Sequence, residues 1–451
     1  MSKTTKKNIL IISHDKIGTQ MAGPGIRYHQ MAKVLSKDFN VTIGFFNPNN
    51  LPDDSFQHNY RVLNIDSNDF KEDFLKFDAI ITFWLNDEMM KYCKEKSIYI
   101  VFDVYAPVPT ENLALFMLGG DEITHDTDYN YKQSFASYKM FFQYGDLFLF
   151  SNKRQLDFWS GYVFGTGIVS VSGYVKRPFL DRFIYAPMGF DASEKISHTK
   201  NVIRKKIKGI NETDKILLWT GGIWNWFDAQ ILIKAMKELK NERSDIKLVF
   251  FGIKHPNPDV PAMQEAHDAI QLAKTEGLFN KTVFMYEDWV PYDERINYLL
   301  EADVAVNTTK DTLENELAHR TRVLDHILTS LPTIATAGDY LSDEVISKDE
   351  LGIVVPPNDV KSLKQAILYS LDDNTNKRFR ENIKKIRTDY DWNETLKELR
   401  RSLLYDMNKL DFVEPPSSVE IPKDNVIFKA AKKILPKSVK SFIVKVTGYG
   451  R

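Results

Sequence analysis

The stretch "ENELAHRTRVLDHILTSLPTIAT", Glu314 to Thr336, gathers three acids and two arginines just ahead of an apolar strand. Carboxylates accept hydrogen bonds from hydroxyl groups, and a guanidinium matches two phosphate oxygens at once. A polyhydroxyl ligand that also carries a diphosphate would use both kinds of group. A surface salt-bridge network would use the same residues to no chemical end. At helical spacing over Thr321–Thr329, Val323, Leu324, Ile327 and Leu328 form an apolar stripe, while Arg322, Asp325 and Thr329 cluster opposite. His319 and Arg320 fall at the helix start, beside a loop with Glu314 and Glu316, so the charges line the mouth of "PTIAT".

Two glycine turns offer anion sites. In "HDKIGTQMAGPGIRYHQMAKVL", Gly23 and Gly25 permit close backbone approach at a helix start, where unpaired N–H groups favour a phosphate; a merely tight turn reads the same way. Arg27 follows, either adding positive charge or facing solvent. In "LLWTGGIWNWFDAQILIKAM", Gly221 and Gly222 precede a helix whose N-terminal acid is Asp228, and Trp224 and Trp226 flank Asn225 as core anchors or as ligand platforms. Asp103, Tyr105 and Glu111 of "FDVYAPVPTEN" follow a strand end; Asp103 either orients a hydroxyl or caps a loop. His14, also at a strand end, is a core histidine or a catalyst. "HDTD" (125–128) has the acid-x-acid spacing of a metal site but sits in a polar loop, and no metal is expected there.

These residues need a scaffold that presents strand ends. "NILIIS" (8–13), "NVTIGFF" (40–46), "DAIITFW" (78–84), "SIYIVFD" (97–103) and "DLFLFS" (146–151) read as buried parallel strands separated by helices. The pattern restarts with "KILLWTGG" (215–222), "IKLVFFG" (246–252), "KTVFMY" (281–286), "ADVAVNT" (302–308), "PTIAT" (332–336) and "GIVVPP" (352–357). Two alternating series predict an α/β chain of two doubly wound, Rossmann-like domains facing a cleft. The expected division is 1–190, a linker at 191–211, 212–380, helices at 381–411 that cross back to the first domain, and a tail at 412–451.

Composition agrees with a soluble globular chain: 43% hydrophobic, 12% aromatic and 27% charged, over 451 residues. A net charge of −1 gives no reason to expect a nucleic-acid partner. Cys93, the single cysteine, precludes an internal disulfide or a thiolate cluster and fits a reducing compartment. The N-terminus has no signal-peptide pattern, and no apolar run reaches the roughly 20 residues of a membrane span.

The segment Glu314–Thr336 resembles the acid-bearing helix of family-4 glycosyltransferases of the GT-B fold, in which an acid lies seven residues before the proline of a "GLPVV" strand, as Asp325 does before Pro332. It is most similar to a bacterial polysaccharide-cluster branch with "ETRxSxRTRxLDYxWAGLPVV", "GGxxNWFD", "GxKHPNP" and "GWVPYDERxNYLLEADV". The counterparts are "ENELAHRTRVLDHILTSLPTI", "GGIWNWFD", "GIKHPNP" and "DWVPYDERINYLLEADV". "MAGPGIRYHQMA", "FDVYAPVPTENL" and "NKRQLDFWSGYV" extend the likeness to about residue 410. The resemblance implies a retaining glycosyltransferase that needs no cofactor or metal beyond its nucleotide-sugar substrate. It also implies that Asp325 holds the ribose, Glu314 contacts the donor sugar, and Trp289 and Val290 border the base. The family's Arg and Lys after the first strand of the second domain are missing from "GGIWNWFDAQ", and Leu317 stands where its first Glu would be. The diphosphate cation is therefore expected in Arg320 or Arg322, with Lys254 as a further candidate; Glu314 and Asp103 complete the expected catalytic set.

After "DFVEPPSSVEIPKD", a Pro/Ser linker, the chain becomes basic. From Ile421, seven lysines and Arg451 face only Asp424, a local net charge of +7. Two amphipathic helices broken at Pro436 would lay Phe428, Ile434, Leu435, Val439, Phe442 and Ile443 on an anionic bilayer, or on an acidic protein surface. The function expected is sugar transfer from a nucleotide-diphosphate donor to a glycan or lipid-linked acceptor in cell-surface polysaccharide synthesis, in the cytoplasm or on the inner face of the cell membrane. A non-catalytic sugar-binding subunit and a nucleotide-sugar epimerase or hydrolase stand as alternatives.

Overall fold

The computed structural model describes residues 6–19, 21–119, 123–254 and 263–407. Its first sheet comprises β1 (Asn8–Ile12), β2 (Asn40–Phe45), β3 (Arg61–Asn64), β4 (Ala79–Thr82), β5 (Tyr99–Asp103), β6 (Leu147–Phe150) and β7 (Phe183–Tyr185), in the order β3-β2-β1-β4-β5-β6-β7. The second comprises β8 (Lys215–Thr220), β9 (Ile246–Phe251), β10 (Val283–Met285), β11 (Val304–Asn307), β12 (Thr333–Thr336) and β13 (Gly352–Val355), in the order β10-β9-β8-β11-β12-β13. Every pairing is parallel; Ile9, for example, lies between Val41 and Ala79.

Both sheets are covered on two faces by helices, which is why their strands are continuous apolar runs. Ile9 to Ile12, Phe148, Phe150, Trp219 and Phe250 are buried almost completely. Each fully buried side chain of this kind stabilises the fold by roughly 1.5–3 kcal/mol. The eleven runs read as strands in the sequence all contain one; β3 and β7 are additional.

In each sheet the strand order reverses beside the first strand, between β1 and β4 and again between β8 and β11. Such switch points leave a crevice beyond the carboxyl ends of the strands. After β13 the chain forms helices Val360–Ser370 and Asp373–Ile386 and then returns to the first sheet's layer. There Phe190 bridges to Asp391, and Trp392–Thr395 packs on helix Gly23–Leu35. No helix among the described residues is long and apolar enough to cross a membrane. The basic tail read at 421–451, with its apolar face from Phe428 to Ile443, lies outside the described residues.

Candidate functional site

A cleft of about 680 Å³ opens where the two switch points meet. His14 and Asp15 after β1, Phe83 after β4 and Tyr105 to Val108 after β5 line it from the first domain; Gly221 and Gly222 after β8, Gly252 after β9 and the stretch Ala318–Asp325 line it from the second.

On the second-domain wall, Gly221 has φ +83°, a left-handed conformation that strains any residue with a Cβ. The turn leaves the Gly222 carbonyl pointing at Arg322, whose Nη2 donates to it at 2.9 Å. The Arg322 guanidinium stacks between Trp219 (4.4 Å) and Phe227 (4.3 Å). Its Nη1 is buried without a hydrogen-bond partner, and none of the ion pairs among the described residues includes it. Burial, and secondarily the neighbouring Arg320, lower its pKa to about 9. It is a part-buried cation at the cleft wall with no counter-ion among the described residues.

Arg320 is placed differently. Its Nη1 and Nη2 donate to both carboxylate oxygens of Glu314, at 2.9 and 2.7 Å, and Nη2 also reaches Asn315. Both partners line the cleft, but their charges are spent on each other. Asp325, one turn beyond Arg322, accepts from Arg295 Nε at 3.1 Å through Oδ1. Arg295 is held in turn by a bidentate contact to Glu194 and lies 3.9 Å over the Tyr292 ring. Burial opposes the charge on Arg295, yet Asp325, Tyr292 and Glu194 together raise its pKa. Asp325 is thereby oriented while its side chain keeps 32% exposure.

Gly23 begins helix Gly23–Leu35, which has no side-chain cap, and a Cβ there would sit 3.7 Å from the Thr321 hydroxyl across the cleft. Trp289, which packs against Gly252, and Val290 also line the cleft, as do Trp224 and Trp226, stacked in parallel with centroids 5.0 Å apart.

Four expected site residues are absent from the cleft lining. Asp103 is fully buried, and Arg27 occupies both its oxygens at 2.7 Å, so it can neither orient an acceptor hydroxyl nor act as a loop cap. Arg27 correspondingly neither faces solvent nor adds net positive charge. Gly25 serves packing: a Cβ there would lie 2.2 Å from the Lys16 carbonyl. Asn225 is buried behind the cleft, its side chain accepting from Glu265 N and its carbonyl from Lys310. Lys254 is exposed. "HDTD" opens helix His125–Tyr144, capped by Thr124, where Asp126 and Asp128 complement the helix dipole. No group of three His, Cys, Asp or Glu side chains among the described residues could hold a metal.

The structure adds residues that the sequence did not single out for these roles. Glu111 lines the cleft without a side-chain hydrogen bond or ion pair among the described residues, and burial and Glu314, against the pull of Arg320, raise its pKa to about 8. His319, 9% exposed, has neither ring nitrogen partnered, and burial and Arg27 lower its pKa to about 3. His14 sits on the rim, bonded to Thr82 and the Trp84 carbonyl; the surrounding protein lowers its pKa against that bond.

Residues 201–386 match the family described as glycosyl transferases group 1. No curated protein matches the chain by sequence. Among solved structures, sucrose-phosphate synthase (tll1590) from Thermosynechococcus elongatus is similar with a TM-score of 0.62 at 16% identity, over 89% of this chain and 100% of that one. Anabaena Alr3699/HepE in complex with UDP-glucose is similar with a TM-score of 0.60 at 12% identity, over 88% and 99%. WaaG, a glycosyltransferase involved in lipopolysaccharide biosynthesis, is similar with a TM-score of 0.59 at 13% identity, over 88% and 99%. At these identities the likeness establishes the fold, which is GT-B.

Proposed function

We propose that this chain, a glycosyltransferase of the GT-B fold, binds a nucleoside diphosphate sugar in the cleft and transfers the sugar to a hydroxyl of a glycan or lipid-linked glycan acceptor. The observation that carries the donor assignment is Arg322, a part-buried guanidinium on the cleft wall that forms no ion pair among the described residues and whose Nη1 has no hydrogen-bond partner there. A dianionic diphosphate is what such a group lacks. In the reaction the bond from C1 of the sugar to the diphosphate oxygen breaks, the acceptor oxygen bonds to C1, and the hydroxyl proton passes to the departing diphosphate. Charge therefore grows on the diphosphate, and a cation already fixed beside it lowers the barrier without reorganising. The uncapped start of helix Gly23–Leu35 adds partial positive charge from the opposite wall.

Asp325, held by Arg295, takes the ribose hydroxyls, and the surface of Trp289 and Val290 takes the base. The UDP-glucose complex of the Anabaena neighbour makes uridine the first base to test. Transfer with retained configuration, independence of a metal and attachment of the basic tail to the inner face of the cell membrane complete the proposal, with cell-surface polysaccharide synthesis as the setting. The test is release of UDP from UDP-sugars with and without glycan acceptors. Release that needs the acceptor supports transfer; release without one supports the hydrolase or epimerase alternative. UDP binding without turnover on any acceptor supports the binding subunit.

A further inference from the structure

The first domain carries an apolar surface that its core does not account for. From Phe158 to Val175 the chain has no charged residue, although 27% of the whole is charged. A run of this kind is normally buried, yet much of this one is not. Helix Lys153–Gly165 ends within it, and helix Val171–Lys176 follows, capped by Ser170, whose hydroxyl accepts from Gly173 N at 3.1 Å. Ile168 and Gly173 are buried, while Val171 and Val175, one helical turn apart, are 84% and 79% exposed. Those two and Tyr405, at 65%, are the most exposed large apolar side chains among the described residues. The exposed rings of Phe164 and Tyr174 meet at 6.2 Å and continue the surface. A Cβ added at Gly161, Gly165 or Gly167 would meet nothing within 4 Å, so no neighbouring element covers this stretch.

The surface lies at the amino ends of β6 and β7, the end of the first sheet remote from the cleft, where Arg182 Nε donates to the Asp146 carbonyl just ahead of β6. Helix Lys153–Gly165, 13 residues and therefore roughly 20 Å long, separates it from Asn152, which holds the Leu317 and Ala318 carbonyls beside the cleft. Arg177, at the end of helix Val171–Lys176, pairs with Asp406 at 3.5 Å. Asp406 is next to the last described residue before the tail, so in sequence the basic segment from Ile421 follows on from this face. We propose that this face docks on an anionic lipid bilayer, with Val171, Val175 and the rings of Phe164 and Tyr174 entering the interfacial layer and Lys176 meeting the headgroups. Exposed apolar patches on a soluble surface mark such sites. The charge pattern selects the occupant. A second copy packed across a two-fold axis would repeat the Lys176 charge on both sides of a small patch, whereas anionic headgroups neutralise it together with the +7 of the segment from Ile421. The cleft then opens away from the bilayer, so docking retains the enzyme at the surface without bringing lipid into the site.

This inference rests on the membrane setting of the proposed function, and its test separates the two. Co-sedimentation of the full chain is measured with vesicles of phosphatidylserine and phosphatidylcholine at physiological salt. Val171→Asp combined with Val175→Asp should weaken binding about tenfold or more, because two apolar contacts become anions facing an anionic surface. Both positions are exposed, so the thermal midpoint should hold within about 2 °C. Val175→Cys carrying a polarity-sensitive fluorophore should shift its emission to the blue on the same vesicles; Cys93 is buried, which leaves the new thiol as the one that reacts. Equal sedimentation of the double variant and the unmodified chain, or a label that does not shift, would overturn the inference while leaving attachment through the tail standing. A concentration-dependent dimer that the two aspartates abolish, with a label shift that needs no vesicles, would overturn it in favour of a second copy. An unmodified chain that does not sediment with the vesicles would overturn the membrane setting and the inference with it.

Discussion

Replacing Arg322 by methionine should make the ligand-free protein more stable and nearly inactive. Lowering a guanidinium pKa from its ordinary value to about 9 corresponds, at about 1.36 kcal/mol per unit, to roughly 5 kcal/mol spent on keeping the charge out of water. The cleft is open to solvent, and screening of a partly exposed side chain reduces this to about 2 kcal/mol. The sign follows from proton binding. From about pH 9 up to the ordinary guanidinium range the unfolded chain holds more protons than the folded one, so stability rises with pH in that window and the full penalty applies below it. Methionine keeps an apolar stem against Trp219 and Phe227 but forfeits about 0.5–1 kcal/mol of cation–π attraction. The net gain at pH 7.5 is then about 1 kcal/mol, visible as a higher thermal midpoint without ligand. Saturating UDP should reverse the order, because the unmodified protein gains more from binding. Loss of a charge-stabilising donor predicts a fall in kcat/KM of about 10²–10³-fold. Equal stabilisation by UDP in both proteins, or turnover within about threefold, would refute the placement of the diphosphate at Arg322.

Asp103→Asn should cost about 3–5 kcal/mol, because Arg27 is left charged and unpaired in the core, whereas Arg27→Met with Asp103→Leu should recover most of it. Thermal melting and soluble yield measure both; a fully stable Asp103→Asn variant that is selectively inactive would restore a catalytic role to this residue. Burial holds His319 and His326 neutral down to about pH 3, so the folded state binds fewer protons than the unfolded one between there and pH 6.5. Stability should therefore fall as pH drops below about 6.5, and urea midpoints at pH 7 and 4.5 should lie closer together in His326→Asn; an unchanged gap would count against the neutral buried imidazole. Reversing Lys432, Lys433, Lys437 and Lys440 to glutamate should release the full chain from phosphatidylserine vesicles in co-sedimentation at physiological salt, where each basic residue near the surface contributes about 1 kcal/mol. Equal sedimentation would remove the membrane from the proposal.

The strands that were legible in the sequence are those buried on both faces, such as Asn8–Ile12 and Leu147–Phe150, because full burial demands unbroken apolar runs. Arg61–Asn64 pairs only with β2, at the sheet edge, and none of its four residues is buried, so no run marks it. The three residues of β7 are too few to stand out from the turn that follows. At the site, the sequence placed the charge cluster at the cleft but could not tell which cations were neutralised. The partner of Arg27 lies 76 residues away and that of Arg295 lies 101 residues away. Two glycines of similar local context also parted company: Gly221 is required by its φ, Gly25 by the closeness of the Lys16 carbonyl. Glu111 reads as an acid in the first turn of a helix, a position that electrostatics favours on any helix, so only its burial against Glu314 distinguishes it.

What fixes Arg322 in the cleft is not confined to its own domain. The Asn152 amide donates to the carbonyls of Leu317 and Ala318 at 3.1 and 3.2 Å, and the Gln155 amide donates to Leu317 and Tyr105 at 2.9 and 2.8 Å. Both side chains are fully buried, and Arg154 beside them pairs with Asp343 at 2.7 Å. First-domain side chains thus hold the backbone immediately ahead of His319, Arg320 and Arg322. At about 1 kcal/mol for each net hydrogen bond, these contacts contribute a few kcal/mol to the apposition of the two walls. A preorganised cation lowers a barrier only if it is already in place when charge develops. For the proposed role of Arg322 that condition would be supplied through the first domain, because the same contacts that appose the walls seat the loop that leads into helix Arg322–Leu328. In the proposed reading, the substitute for the basic pair missing after β8 lies on the opposite side of the glycine turn, where Gly222 accepts from Arg322 across a sequence distance of 100 residues.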